Sequence, residues 1–174
     1  MTMMIIGLVI FFASHSVRIF AEDWHQQQVA KWGESTWKIA YSAVSLVGLA
    51  IAIYGFGQMR LDPIYVWPPP MGMRHAVALL MLPAFIMLAA AFVPHNAIKA
   101  KLGHPMTLSV KIWAFAHLLA NGRLGDIIFF AAFLVWAILA FKAAKKRDRV
   151  TPPAPLSTTK MATIATVVIG LLAY

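Results

Sequence analysis

The chain has 174 residues, of which 61% are hydrophobic and 12% charged, with a formal net charge of +9 and no cysteine. Charged residues make up about a quarter of a soluble domain, so this composition excludes an ordinary soluble protein and predicts one membrane domain over residues 1–174. The missing cysteines exclude disulfides, cysteine-held iron–sulfur clusters and a cysteine nucleophile. The positive residues lie between apolar runs, which favours membrane topology signals over nucleic-acid binding.

The apolar runs predict transmembrane helices. A bilayer core needs roughly 20 apolar residues per helix. Five runs approach this length and predict five full spans: Met3–Phe20, Ile39–Phe56, His75–Val93, Met106–Ala120 and Ile127–Phe141. A sixth run, Met161–Tyr174, would extend only about 21 Å and is expected to be a partial span. The predicted fold class is therefore an all-α polytopic transmembrane helix bundle of five full spans plus a partial sixth.

The segments between the runs are polar or aromatic. Ala21–Lys38 carries three tryptophans among polar residues, which predicts a loop in the membrane interface, and His25 within it is expected to be solvated. Asn121-Gly122 ends the fourth run, so runs four and five are predicted to form a tight antiparallel hairpin. Lys142–Lys160 is predicted to be a basic linker that anchors the topology.

Lysine and arginine are unevenly distributed among these segments. Twelve of the fifteen belong to the segments after runs one, three and five when Arg18, near the end of run one, and Lys111, near the start of run four, are counted with the segments that they adjoin; only Arg60, Arg74 and Arg123 belong to those after runs two and four. Because cytoplasmic loops carry the excess of positive residues, this asymmetry predicts cytoplasmic odd-numbered loops and an N-terminus outside the cell.

His15 is the first candidate site residue, because an ionisable ring inside an apolar run is costly and usually functional. Phe11 and Ile19 lie four residues away on the same helix face, and Arg18 follows three residues later. One interpretation is an axial ligand for haem iron, with Arg18 binding a propionate. The other is a histidine hydrogen-bonded to a serine or a backbone carbonyl, with Arg18 as an interfacial anchor.

His117 and His104 are the other candidates. Ala114 and Ala120 flank His117 at three residues on either side, and small residues either clear space for a macrocycle or let two helices approach closely. His104 precedes Pro105, which suits the first turn of a helix, so it is either a boundary residue or a ligand. No pair of acidic residues lies within a predicted span, which argues against a carboxylate-bridged metal centre.

Two motifs stand out in the sequence. One is Gly103-His104-Pro105 followed by Trp113-Ala114-Phe115-Ala116-His117-Leu118-Leu119-Ala120-Asn121-Gly122 and then Phe129 to Trp136-Ala137, and the other is Ala13-Ser14-His15-Ser16 in the first run. Together they resemble the NnrU family, and the resemblance covers nearly the whole chain. Proteins of this family are bacterial inner-membrane proteins associated with nitric oxide and nitrite reduction in denitrification. Their plastid relatives are 15-cis-zeta-carotene isomerases, which bind haem b through two histidines.

The resemblance implies a site, a location and two kinds of activity. It implies haem b with His15 and His117 as axial ligands and His104 close to the cofactor, in a multi-pass protein of the bacterial inner membrane. The protein would be either a haem-dependent isomerase acting on a hydrophobic small molecule, or a redox or maturation factor that partners a nitrogen-oxide reductase. No catalytic residue is assigned.

The chain departs from the family pattern in two respects. The family generally continues into a C-terminal tail with a further histidine, whereas this chain stops at Tyr174, so that element is expected to be missing. Helix geometry also places His15 about 8 Å from the cytoplasmic end of its helix and His117 about 15 Å from the start of its own. One haem needs both ligands at one depth, so His104 as the partner of His15 remains open.

A haem-free membrane methyltransferase is the alternative from a different class, because a His-Pro helix start also occurs in isoprenylcysteine-type enzymes. However, no arginine precedes His104, and no tyrosine and glycine follow Pro105 at the spacing of those enzymes. A structural or assembly protein of the membrane is the third interpretation. An absorption spectrum separates the haem-binding interpretation from the other two.

Overall fold

The computed structural model describes all 174 residues and is helical throughout, with one isolated antiparallel bridge between Tyr65 and Arg123. The eight helices, in chain order, are α1 (Thr2–Phe20), α2 (Glu22–Trp32), α3 (Glu34–Met59), α4 (Met73–Phe92), α5 (Ala97–Leu102), α6 (Pro105–Ala120), α7 (Leu124–Val150) and α8 (Lys160–Ala173). The all-α class predicted from the apolar runs is confirmed.

Four helices, α1, α3, α4 and α7, are long and apolar enough to cross a membrane. The prediction of five full spans plus a partial sixth is not confirmed. The fifth predicted span, Met106–Ala120, belongs to α6, which has 16 residues and extends about 24 Å. It cannot start earlier because Gly103, at φ 78°, separates it from α5. The run Met161–Tyr174 forms the 14-residue α8, which is short, as predicted.

The helices pack in the order α3, α1, α7, α6, α4, α8, and α7 separates α1 from α6. One end of this bundle, which we call the basic end, holds the end of α1 and the end of α7. There Arg147 donates to the backbone carbonyl of Arg18 at 2.9 Å. The start of α6 lies at the same end, because His104 pairs with Asp148 of α7. The start of α8 also lies there, where the amide of Thr159 donates to the carbonyl of His95, just after the end of α4.

The opposite end is closed by backbone hydrogen bonds between two connections. The segment between α3 and α4 runs over the tight turn between α6 and α7, where the amide of Val66 donates to the carbonyl of Gly122 at 2.8 Å and that of Leu124 to Ile64 at 2.8 Å. Only residues 121–123 separate α6 from α7, which confirms the predicted hairpin. A Cβ at Gly122 would overlap the carbonyl of Trp67, so this turn requires glycine.

The segment Ala21–Lys38, predicted to be a loop, is helical over most of its length. It forms α2 and the first turn of α3, which meet at Gly33, where φ is 81°. The rings of Trp24 and Trp32 both pack on Trp37, at 5.6 and 6.2 Å. The predicted linker Lys142–Lys160 is also helical as far as Val150, because α7 continues nine residues beyond its apolar run.

Small residues bring α1 and α3 into close contact. A Cβ at Gly48 would lie 2.7 Å from the backbone nitrogen of Phe11, and one at Gly7 would lie 2.6 Å from the Cα of Ala52. Small residues allow such approach of helix backbones in membranes, where apolar burial against lipid gives little drive for association. This pairing fixes the face of α1 that carries His15.

Candidate functional site at the basic end

His15 lies on α1, five residues before the helix ends at Phe20. Its Nδ1 lies 2.9 Å from the backbone carbonyl of Phe11, and because a carbonyl only accepts, Nδ1 is the donor. The ring stacks on Phe11 at 4.0 Å and meets Tyr41 at 4.9 Å. A hydrogen bond to a backbone carbonyl is what the second sequence-based interpretation of His15, the one without a haem, predicted. It also leaves Nε2 as the nitrogen able to bind a metal.

A cavity of about 450 Å³ lies beside His15, a size within the range of ligand sites. Three helix faces line it. The lining residues are Ser14, His15, Val17 and Arg18 of α1, His25 and Val29 of α2, and Glu34, Trp37, Lys38 and Tyr41 of α3. The cavity therefore combines an imidazole, aromatic walls and cations, which are the groups that a haem requires.

Two cations stand at the rim of this cavity and are available to carboxylates. Arg18 is 57% exposed and lies 3.5 Å from Glu22, and Lys38 is 68% exposed and lies 2.7 Å from Glu34. Exposed pairs of this kind are strongly screened by solvent, so a ligand carboxylate could take over either cation at little cost. Arg18 and Lys38 both line the cavity beside His15.

His117 lies in a different part of the bundle, three residues before α6 ends at Ala120. Its ring stacks on Phe130 at 4.5 Å and 9°, and meets Trp113 at 5.5 Å. It does not line the cavity beside His15. The helix that carries it does not touch α1, because α7 lies between them.

His15 and His117 also differ in depth. His15 packs 5.6 Å from Trp136, whereas His117 packs on Phe130, six residues earlier on α7 and therefore about 9 Å away along its axis. Phe133 fills the space between, in contact with Phe12 at 5.0 Å. The structure therefore does not bring His15 and His117 together, and their joint ligation of one iron stays a prediction.

His104 lies at the basic end but is already paired. It precedes α6, and its Nε2 lies 2.9 Å from Oδ2 of Asp148. Lys145 approaches the same carboxylate at 3.9 Å. The structure therefore brings His104 together with α7 and not with the His15 cavity. No group of three or more metal-binding side chains forms a cluster in the chain.

Sequence reasoning missed three residues around His15. His25, expected to be solvated, is only 16% exposed and lines the cavity, since α2 folds back over α3. Tyr41 reaches His15 from the next helix. Trp136 has a buried indole nitrogen with no hydrogen-bond partner, next to the His15 ring. No local pattern in the sequence indicated that these three residues pack around His15.

These features define an all-helical membrane protein with a polar, histidine-lined cavity at one end of the bundle. Residues 3–174 match the family model described as NnrU protein, so the chain belongs to the NnrU family. No curated protein and no solved structure matches the chain. The resemblance drawn from the two histidine motifs is thereby confirmed, and the methyltransferase alternative gains no support.

Proposed function

We propose that this protein binds haem b at the basic end, with His15 as an axial ligand to the iron. The observation that carries the proposal is the His15 ring itself, which is anchored through Nδ1 and leaves Nε2 free beside a cavity of about 450 Å³. Metal-binding histidines commonly donate their other ring nitrogen to a carbonyl or carboxylate in this way. The ligand assignment of His117 stays a prediction from the family resemblance.

Different residues of the cavity would hold different parts of the haem. The hydrogen bond to Phe11 fixes the orientation of the His15 ring, and Tyr41 supplies a flat apolar wall. Arg18 and Lys38 at the rim would bind the two propionates. Haem iron, when bound, would supply electron transfer or binding of a diatomic gas. The indole N–H of Trp136 is a spare donor beside the ligand histidine.

The proposal predicts a b-type spectrum for the purified protein. Protein made in haem-replete cells should show a Soret band and, after reduction, the α and β bands of haem b, with one haem per chain by pyridine haemochromogen assay. The positive control is a known haem b protein purified in the same detergent. Protein that is folded and helical but lacks any Soret absorption would remove the proposed function.

The biological setting is part of the proposal. We infer a multi-pass protein of the bacterial inner membrane that supports nitric oxide or nitrite reduction, either by electron transfer or by helping to assemble a nitrogen-oxide reductase. Membership of the NnrU family supports this setting. The apolar faces of α1, α3, α4 and α7 suit a lipid bilayer as the immediate partner.

The proposed orientation has the basic end in the cytoplasm and the N-terminus outside, and it can be tested by thiol labelling. The chain has no cysteine, so single cysteines are unambiguous reporters. Thr158→Cys at the basic end should resist a membrane-impermeant thiol reagent in intact cells, whereas Met71→Cys at the opposite end should react. Both positions are exposed. Fast labelling at residue 158 together with protection at residue 71 would mean the reverse orientation.

A second candidate function is action on a hydrophobic small molecule, as in the isomerase relatives. The feature that supports it is an apolar cavity between α4 and α6, which at about 220 Å³ has room for part of a polyene chain only. It is lined by Met81, Ala84, Phe85, Leu88, Ser109, Val110 and Trp113. Only the Ser109 side chain is polar there, and it donates to the carbonyl of Ala84 at 2.8 Å. Conversion of a cis polyene to its trans isomer by purified protein, followed by chromatography, would favour this function over electron transfer.

A further inference from the structure

Four cations share one face of α7 just beyond its apolar run, and we call them the cationic face of α7. They are Lys142, Lys145, Lys146 and Arg149, and together with Phe141 they line a cavity of about 310 Å³ that has no acidic residue in its wall. At about 100° per residue the four positions fall within an arc of about 100°, and Arg147 and Asp148 fall outside it. The positive-inside rule requires positive charge in this segment, but it does not require that charge on one face.

The charges of this face are largely unbalanced. Only Lys145 forms an ion pair, with Oδ2 of Asp148 at 3.9 Å. Lys142 and Lys146 are four residues apart on the helix, and so are Lys145 and Arg149. Like charges at this spacing repel each other and destabilise a helix. An anion bound among them would remove this repulsion.

Arg147, in the same segment, is satisfied within the chain. It donates to the carbonyl of Arg18 at 2.9 Å and lies 3.6 Å from Oε2 of Glu22, so it faces α1 and α2. The cationic face lies on the other side of α7, and the side chains of Lys142 and Lys146 there are exposed. This face is therefore available to a partner from outside the chain.

The depth of the cationic face matches the headgroup region of a bilayer, which adds about 5–7 Å to each side of the hydrocarbon core. Lys142 and Lys146 follow the end of the apolar run by one and five residues, or about 1.5 and 7.5 Å along the axis. Val135 and Leu139 lie on the same side of α7 within the apolar run, and both are exposed. One side of α7 thus changes from apolar to cationic where lipid chains give way to headgroups.

A further cation reaches the cationic face from α6. The ammonium groups of Lys111 and Lys145 lie 4.9 and 5.8 Å from the centroid of the Phe141 ring. The ring of His104, which precedes α6, lies 6.3 Å from the same ring, so the Lys111 side chain extends towards the basic end. Lys111 therefore adds positive charge beside the cationic face and keeps its own charge near the membrane surface.

We propose that the cationic face of α7 binds the headgroup phosphate of one anionic phospholipid, with an acyl chain along Val135 and Leu139. Lys142, Lys146 and Arg149 donate to the phosphate oxygens, which are strong acceptors for charged donors. Basic sites beside transmembrane helices are suited to anionic headgroups. The apolar residues directly above the cations favour a lipid over a free phosphate ion. This site is separate from the His15 cavity and goes beyond the proposed function.

The test measures lipid binding by native mass spectrometry of protein in a neutral detergent, titrated with phosphatidylglycerol or with phosphatidylcholine. The site variant replaces three exposed cations of the cationic face by glutamine: Lys142→Gln, Lys146→Gln and Arg149→Gln. The matched control replaces three exposed lysines outside it: Lys31→Gln, Lys101→Gln and Lys160→Gln. Both variants lose the same net charge, so a difference between them reports the position of the charges.

The wild type should bind phosphatidylglycerol more tightly than phosphatidylcholine. The site variant should lose most of this preference, because each cation near an anionic lipid contributes about fivefold in affinity. The control variant should keep the wild-type preference. Added salt should weaken the preference in the wild type, since it screens exposed charges.

Three results would overturn the inference. The first is an unchanged preference for phosphatidylglycerol in the site variant, and the second is an equal loss in the site and control variants, which would indicate general attraction to the basic end. The third is thermal stabilisation of the wild type by inorganic phosphate as large as that by phosphatidylglycerol, which would indicate an ion site without a lipid. If the site variant does not accumulate, Lys146→Gln alone should lose about fivefold in affinity, and an unchanged affinity would contradict the inference. None of these results depends on haem content, so the proposed function is tested separately.

Discussion

Replacing Gly55 by leucine is expected to prevent stable assembly of α1 on α3. A Cβ at Gly55 would lie 2.7 Å from the Cα of Met4 and closer still to its backbone nitrogen. The obstacle is backbone, which cannot rotate away as a flexible side chain can. Overpacking a well-packed core costs typically 1–3 kcal/mol, and a collision with backbone should reach the top of that range, about 3 kcal/mol or more.

The measurement is the unfolding midpoint of the purified protein in detergent, followed by helical circular dichroism. Gly57→Leu is the matched control, because Gly57 lies on the same helix and a Cβ added there would have no neighbour within 4 Å. Both variants replace a glycine of α3 by leucine, so both gain the same helix propensity. The difference between their unfolding midpoints therefore measures the effect of the collision with α1. Equal midpoints for the two variants would contradict the close packing of these helices.

The long apolar helices could be predicted from the sequence because their signal is local. α1 and α4 begin and end within two residues of the predicted runs. α3 and α7 extend beyond theirs, since helices continue into polar and charged residues that hydropathy does not mark. α6 was predicted as a full span because its apolar run is continuous, yet Pro105 and Asn121 limit it to 16 residues.

The helix α2 could not be predicted in this way. Its residues are polar, with Gln26, Gln27 and Gln28 in succession, so hydropathy indicates a loop. What orders it is packing on Trp37, which belongs to the next helix. The half-buried state of His25 depends on that tertiary contact, and the expectation that it would be solvated was therefore wrong.

The candidate site was predicted in part. The face of α1 that carries His15 and Arg18 follows from helical spacing, and both residues line the cavity. The difference in depth between His15 and His117 also follows from counting residues along each helix. The order of the helices does not, because no local pattern indicates that α7 lies between α1 and α6. That order is what separates the two histidines named by the resemblance.

His15→Ala is expected to have the largest effect on haem content. It removes the anchored imidazole that the cavity presents, and the apolar wall and rim cations alone would hold a haem weakly. We expect the affinity for haem to fall by about tenfold or more, since even residues that only support a metal ligand typically contribute 10–100-fold. Alanine at this half-buried position removes the hydrogen bond to Phe11 but no charge pair, so the fold should persist.

The most direct test of haem binding at the His15 cavity is the haem-to-protein ratio of wild type, His15→Ala and His117→Ala, purified side by side from haem-replete cells. Circular dichroism of each sample checks that the helical fold is retained. The account predicts about one haem per chain in the wild type and in His117→Ala, and little haem in His15→Ala. Full haem content in His15→Ala, with loss in His117→Ala, would contradict it and place the cofactor beside α6.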